Sequence, residues 1–114
     1  MKEVERPLSL IQYIMRLENG YETFTTFWVD FSIADKFGVN AVNDTYNRAF
    51  NEWKHEYKYL TELTLILNMK VWYWYNKGND VMYKTYLNLW DKCYEYGCNN
   101  LKGAELSYYL NVLD

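Results

Sequence analysis

The stretch Tyr59-Leu60-Thr61-Glu62-Leu63-Thr64-Leu65-Ile66-Leu67-Asn68-Met69-Lys70-Val71-Trp72-Tyr73-Trp74-Tyr75 decides the fold. Two of its pieces, Thr64-Leu65-Ile66-Leu67 and Val71-Trp72-Tyr73-Trp74-Tyr75, are rich in residues that favour strands, and aromatic residues at consecutive positions cannot all face one core. Against that, Leu60, Leu63, Leu67, Val71 and Trp74 recur at spacings of three and four over a length that suits a helix and exceeds an ordinary strand. Spacing and length outweigh local propensity, and the segment is expected to be a helix.

Working outward from it, Asn76, Gly78, Asn79 and Asp80 form the clearest loop in the chain, with Asn79 or Asp80 as the next N-cap. The helix that follows is expected to bury Met82, Tyr86, Leu89, Trp90, Cys93 and Gly97 and to end near Cys98-Asn99-Asn100, with a short last helix over Ala104 to Leu110. In the other direction the stripe loses clarity near His55-Glu56-Tyr57-Lys58, which predicts a kink or short loop. A helix from about Asn40 through Trp53 precedes it, with Val42, Tyr46, Ala49, Phe50 and Trp53 on the dry side and Asn43, Asn47, Arg48 and Glu52 on the wet side. Gly38 caps an earlier segment that starts among Thr23, Thr25 and Thr26 and carries Phe27, Phe31, Ala34 and Phe37 on one stripe, with Trp28 and Ile33 beside it. Ser9-Leu10-Ile11-Gln12 reads as a capping box for a first helix ending at Asn19-Gly20, with Leu10, Ile14 and Leu17 on one face. The fold class expected is all-α, a compact single-domain bundle of five or six helices over residues 1–114.

Composition agrees with that class. The chain has 114 residues, a length that closes one core, and only 5 Gly and 1 Pro, too few for a turn-dense sandwich or barrel. The longest apolar stretch, around Leu63 to Leu67, is far shorter than the roughly 20 residues of a membrane span. The opening Met1-Lys2-Glu3-Val4-Glu5-Arg6-Pro7 is charged and mixed, unlike a signal peptide. A soluble intracellular protein without a membrane partner is expected.

The parts that catalysis needs are sparse. His55 is the single histidine and sits in the charged run Lys54-His55-Glu56; Ser9, Ser32 and Ser107 lie in no nucleophile-elbow context. Gly38, Gly78, Gly97 and Gly103 are isolated, so no loop cradles phosphate. Asp30 and Asp35 are five apart and off-face, while Glu52 and Glu56 share a helix side that reads as solvated. Cys93 and Cys98 are the only cysteines and, five apart on one helix, point in different directions, which does not suit a zinc site. No catalytic residue, metal or cofactor is expected, and the chain reads as a non-enzyme.

Nucleic acid is disfavoured as a partner. Phe31 to Asn40 has the first half of a helix-turn-helix, with Ala34 followed four residues later by Gly38. The second half fails, because Asp44 and Asn47 occupy positions that should be apolar, the reading helix has only Arg48 before Lys54, and the net charge is −3. A degenerate helix-turn-helix serving an accessory or regulatory protein on nucleic acid is the alternative reading.

The unusual feature is aromatic excess: 13 Tyr, 5 Trp and 5 Phe in a chain this short. They exceed what one small core buries, and the tyrosines fall on both faces of their helices. Tyr and Trp supply large contact area with a polar tip and little rotamer entropy to lose, which is why they dominate binding hot spots. Trp72, Tyr73 and Tyr75 cannot all turn inward with Trp74; Tyr57 with Tyr59 and Tyr108 with Tyr109 are similar pairs. These seven residues, Tyr57, Tyr59, Trp72, Tyr73, Tyr75, Tyr108 and Tyr109, are the candidate surface for a protein partner or a second copy of the chain in a homodimer.

The blocks Thr25-Thr26-Phe27-Trp28-Val29-Asp30-Phe31-Ser32-Ile33-Ala34-Asp35-Lys36-Phe37-Gly38 and Asp44-Thr45-Tyr46-Asn47-Arg48-Ala49-Phe50-Asn51-Glu52-Trp53-Lys54 resemble a family of short proteins carried by bacterial phages and other mobile elements. So do Tyr59-Leu60-Thr61-Glu62-Leu63 and Asn100-Leu101-Lys102-Gly103-Ala104-Glu105-Leu106-Ser107-Tyr108-Tyr109. The resemblance spans most of the chain after about residue 20, the first helix matching poorly, and it carries over a setting and no site residues. That setting, the cytoplasm of a bacterial host, implies stoichiometric binding to a host protein. An anti-CRISPR-like inhibitor of a CRISPR effector or other defence nuclease is the function expected. Carboxylates here are interleaved with Lys and Arg, so aromatic docking is better supported than charge mimicry of DNA.

Overall fold

A computed structural model of the chain describes residues 34–113. The expected first helix from Ser9 to Asn19-Gly20 and the stripe positions Phe27, Trp28, Phe31 and Ile33 lie outside them. The described residues are all-α: a 3-10 turn at Asp35–Phe37, then α1 (Val39–Trp53), α2 (Tyr57–Lys77), α3 (Asp80–Asn100) and α4 (Gly103–Leu113), with no strand among them. None of these helices is long and apolar enough to cross a membrane.

The β-prone stretch is helical throughout, and burial explains how. Every residue from Leu60 to Asn68 is buried, so α2 is enclosed on all sides and its centre needs no wet face. Its threonines fit because their hydroxyls bond back to the preceding turn, Thr61 Oγ1 to the Tyr57 carbonyl at 2.7 Å and Thr64 Oγ1 to that of Leu60 at 2.8 Å. Glu62, fully buried in the same stretch, has an interaction partner of its own, as a carboxylate removed from water must.

Both ends of α2 are marked by residues that read as punctuation. Glu56, with extended backbone, accepts from the Lys58 N–H and opens the helix; Gly78 closes it in the left-handed conformation at φ 76°. Asn79 then caps α3 by accepting from the Met82 N–H at 3.1 Å. Two residues between helices force α2 and α3 into an antiparallel hairpin, the most extensive helix–helix contact among the described residues.

The dry face of α1 is the expected one: Val42, Tyr46, Ala49, Phe50 and Trp53 are all buried. On α3, Met82, Tyr86, Leu89, Cys93 and Gly97 are buried as expected, while Trp90 is half-buried and stacks flat on Tyr94 at 4.7 Å. The apolar stripe through Phe37 is corrected. Ala34 is buried, but Phe37 is 72% exposed. The inward position of that turn is taken by the Asp35 carboxylate, which meets donors from α2 and α3; Phe37, two residues on, faces away before Gly38 redirects the chain.

Candidate functional site

The seven candidate aromatics separate into four groups. Trp72, Tyr73 and Tyr75 gather at the C-terminal end of α2; Tyr73 is 39% and Tyr75 56% exposed, and Trp72 is half-buried. Tyr57 and Tyr108, both half-buried, meet edge to face at 5.4 Å near the start of α2, some 22 Å along the axis from Trp72. Tyr59 is half-buried and packs on Trp53, with ring centres 5.7 Å apart. Tyr109 is fully buried and leaves the candidate surface. Its hydroxyl donates to the Cys93 carbonyl at 2.8 Å and sits 3.1 Å from Thr64 Oγ1, and its ring lies on the bare backbone of Gly97. Of the adjacent pair, Tyr108 stays half-exposed and Tyr109 faces the one position on α3 where no side chain blocks it.

The α2–α3 turn is therefore the strongest candidate surface. Trp74, Tyr75, Gly78, Asn79, Asp80 and Tyr83 line an open cleft of about 170 Å³ there. Its rings are braced by one another: Trp72 meets Tyr75 edge-on at 5.3 Å, Tyr73 meets Trp74 at 5.1 Å and Tyr75 leans on Tyr83 at 5.5 Å. Lys77 holds its ammonium 5.4 Å above the Tyr73 ring. Rings held this way have lost most of their freedom already, so a partner that docks on them orders little more. Tyr83 belongs to this surface and was not among the sequence candidates; its place follows only from the hairpin folding α3 back along α2.

Behind the cleft lies a polar cluster that spacing did not reveal. The Asp35 carboxylate accepts from the Trp74 indole N–H at 3.3 Å, from Lys70 at 2.9 Å and from the Tyr86 hydroxyl. Tyr46 packs edge-on against Tyr86 at 5.4 Å. Burial, then the charge of Asp35, raises the Tyr46 phenol well above its ordinary value; burial, then Tyr46 and Asp35, does the same for Tyr86. Both phenols are therefore held protonated, and the cluster behaves as a clamp fixing the 35–37 turn to α2 and α3 with the Trp74 indole in place.

His55, Glu52 and Glu56 are exposed around the α1–α2 turn. The Cys93 thiol is pushed up to about 12 by burial, which the nearby Lys92 opposes in part, while Cys98 is exposed. Among the described residues no three His, Cys, Asp or Glu side chains come together as a metal site would require. On the outer side of α1, Asp44 and Glu52 stand beside Arg48, so the helix after Gly38 presents no basic stripe. Comparison with known proteins returns no matching family model, no matching curated protein and no matching solved structure.

Proposed function

We propose that the chain is a non-catalytic binding protein that docks a protein partner through the aromatic end of the α2–α3 hairpin. One observation carries this reading: Tyr73 and Tyr75 stand exposed beside Trp72, Trp74 and Tyr83 around an open cleft, on two capped and mutually braced helices. A small fold leaves large rings in water where they have something to contact, and clustered Tyr and Trp are the residues on which binding energy concentrates. In the mobile-element setting that the sequence suggests, the partner is a host protein, and a stoichiometric block of a bacterial defence nuclease, such as a CRISPR effector, is the function proposed.

The test is capture by the tagged chain from lysates of cells carrying candidate defence systems, with and without nuclease treatment, alongside a Tyr73→Ala/Tyr75→Ala variant. A stoichiometric protein that survives nuclease, is lost with the variant and is inhibited by the wild-type chain supports the reading. A partner released by nuclease moves the function to nucleic acid. A partner retained by the variant places the docking surface elsewhere.

A further inference from the structure

The cleft at the α2–α3 turn has a chemistry more specific than an apolar groove. Three of its six lining residues, Trp74, Tyr75 and Tyr83, are aromatic, and a fourth, Asp80, brings a carboxylate. A purely apolar occupant would use the rings alone, whereas a cation gains from both the ring quadrupoles and the negative charge of Asp80 exposed beside them. From this lining we infer that the cleft receives an arginine side chain of the protein partner, its guanidinium against the rings of Trp74, Tyr75 and Tyr83 and its N–H groups toward Asp80. This rests on the reading of the hairpin end as a docking surface.

The molecule's own cations show the same pairing elsewhere. Lys77 lies over Tyr73, Lys70 over Tyr86, Lys54 over Phe50 and Tyr96, and Lys92 over Phe50 at 4.7 Å. Among the described residues, no lysine takes that place over Trp74, Tyr75 or Tyr83. Asp80 pairs with Lys84 at 3.2 Å, an i,i+4 contact with both side chains largely exposed, a weak contact that a bidentate guanidinium displaces. Size and shape agree. The cleft holds about 170 Å³, and a cavity of about 150 Å³ suffices for a benzene-sized ligand, so the planar head of an arginine fits. A cleft open on one side suits a flat guanidinium that stacks, where a quaternary ammonium needs walls all round. The indole is also fixed in advance, because Asp35 holds the Trp74 N–H from behind and Tyr73 braces its ring at 5.1 Å.

The experiment titrates the full chain, at constant ionic strength, with acetyl-arginine amide, with its neutral isostere acetyl-citrulline amide and with tetramethylammonium, following the Trp74 indole and Tyr83 ring resonances. Arginine amide is expected to shift both saturably, with a dissociation constant of roughly millimolar, as befits so small a probe. Citrulline amide should bind about tenfold more weakly, because it keeps the shape and loses the charge. Asp80→Asn should weaken arginine about threefold and leave citrulline unmoved, and Tyr75→Ala should weaken both. Equal binding of arginine and citrulline, tighter binding of tetramethylammonium, or shifts confined to other residues would each overturn the assignment. Since the probes contain no partner, failure here with partner capture intact removes the arginine and spares the docking surface. Loss of partner specificity for Tyr73 and Tyr75 with arginine binding intact removes the docking surface instead.

Discussion

Replacing Gly97 by Ala should destabilise this protein, although the same change in most helices stabilises. Alanine in a helix interior is favoured over glycine by about 1 kcal/mol. At Gly97, however, the new methyl would overlap Cζ and Cε2 of Tyr109 and lie 2.7 Å from its hydroxyl oxygen. The ring has nowhere to move: it is fully buried, and its hydroxyl is held by the Cys93 carbonyl at 2.8 Å and Thr64 at 3.1 Å. Overpacking costs about 1–3 kcal/mol, and loosening the Tyr109 hydrogen bond to the Cys93 carbonyl adds about 1 kcal/mol. After the propensity gain, the net loss is about 1–3 kcal/mol, read as a melting temperature about 5 °C or more lower by circular dichroism. The attribution is checked in a Tyr109→Leu background, where the clashing ring atoms are gone and Gly97→Ala should be neutral or stabilising in urea unfolding. A Gly97→Ala variant that melts higher than wild type refutes the close packing of α4 on α3, and a cost that persists beside Leu at 109 refutes Tyr109 as its cause.

Other consequences are open to simple measurement. Asp35→Ala should cost about 3 kcal/mol in urea unfolding, because it strands the buried Tyr86 hydroxyl as well as releasing Lys70 and Trp74; Tyr86→Phe, which leaves Asp35 its other two donors, should cost only about 1 kcal/mol. Tyr73→Ala/Tyr75→Ala should change unfolding free energy by less than about 1 kcal/mol while abolishing partner capture, and a much larger loss of stability would make these rings part of the core. An aromatic disulfide reagent at pH 8 should titrate Cys98 alone in the native protein and both thiols in urea; fast native reaction of two thiols would contradict the burial of Cys93. Stability should fall as pH rises past about 9 and more steeply past 10, because the Cys93 thiol and the Tyr46, Tyr86 and Tyr109 hydroxyls keep protons in the fold that the unfolded chain gives up near 9.0 and 10.0. Urea midpoints unchanged between pH 8 and 10.5 would remove that coupling.

Where the sequence was legible, a single face met a single core. Val42, Tyr46, Ala49, Phe50 and Trp53 repeat at three and four because α1 has one dry side, and Asn79 announces α3 because its side chain bonds a backbone three residues on. The centre of α2 was ambiguous for a physical reason: a helix enclosed on all sides adds apolar residues between those of its three-and-four stripe, so Thr64 to Leu67 also looks like a strand. Asp35 was illegible altogether, since its three partners lie 35, 39 and 51 residues away and no local pattern joins them. Tyr108 and Tyr109 look alike in sequence. Gly97 could be placed on the dry side of α3, but only the approach of α4 shows which ring fills the gap it leaves.

The aromatic excess, taken residue by residue, has more than one cause. Tyr46, Tyr86 and Tyr109 are core residues, and two of the hydroxyls join separate elements: Tyr86 binds Asp35, and Tyr109 reaches Cys93 and Thr64. Phenylalanine at 86 or 109 would fill the same volume and drop bonds that tie these elements together, so the polar tip itself explains why tyrosine stands at both. That account does not extend to Tyr73 and Tyr75, which stand at the end of α2 with their rings braced by Trp74, Trp72 and Tyr83 rather than enclosed. Trp74 joins the two groups, bonded to Asp35 on one side and lining the cleft on the other. A perturbation of the core clamp at Asp35 should therefore reach the cleft through this one indole, and a substitution at Tyr73, whose ring meets that indole, should be felt at Asp35 through the same contact.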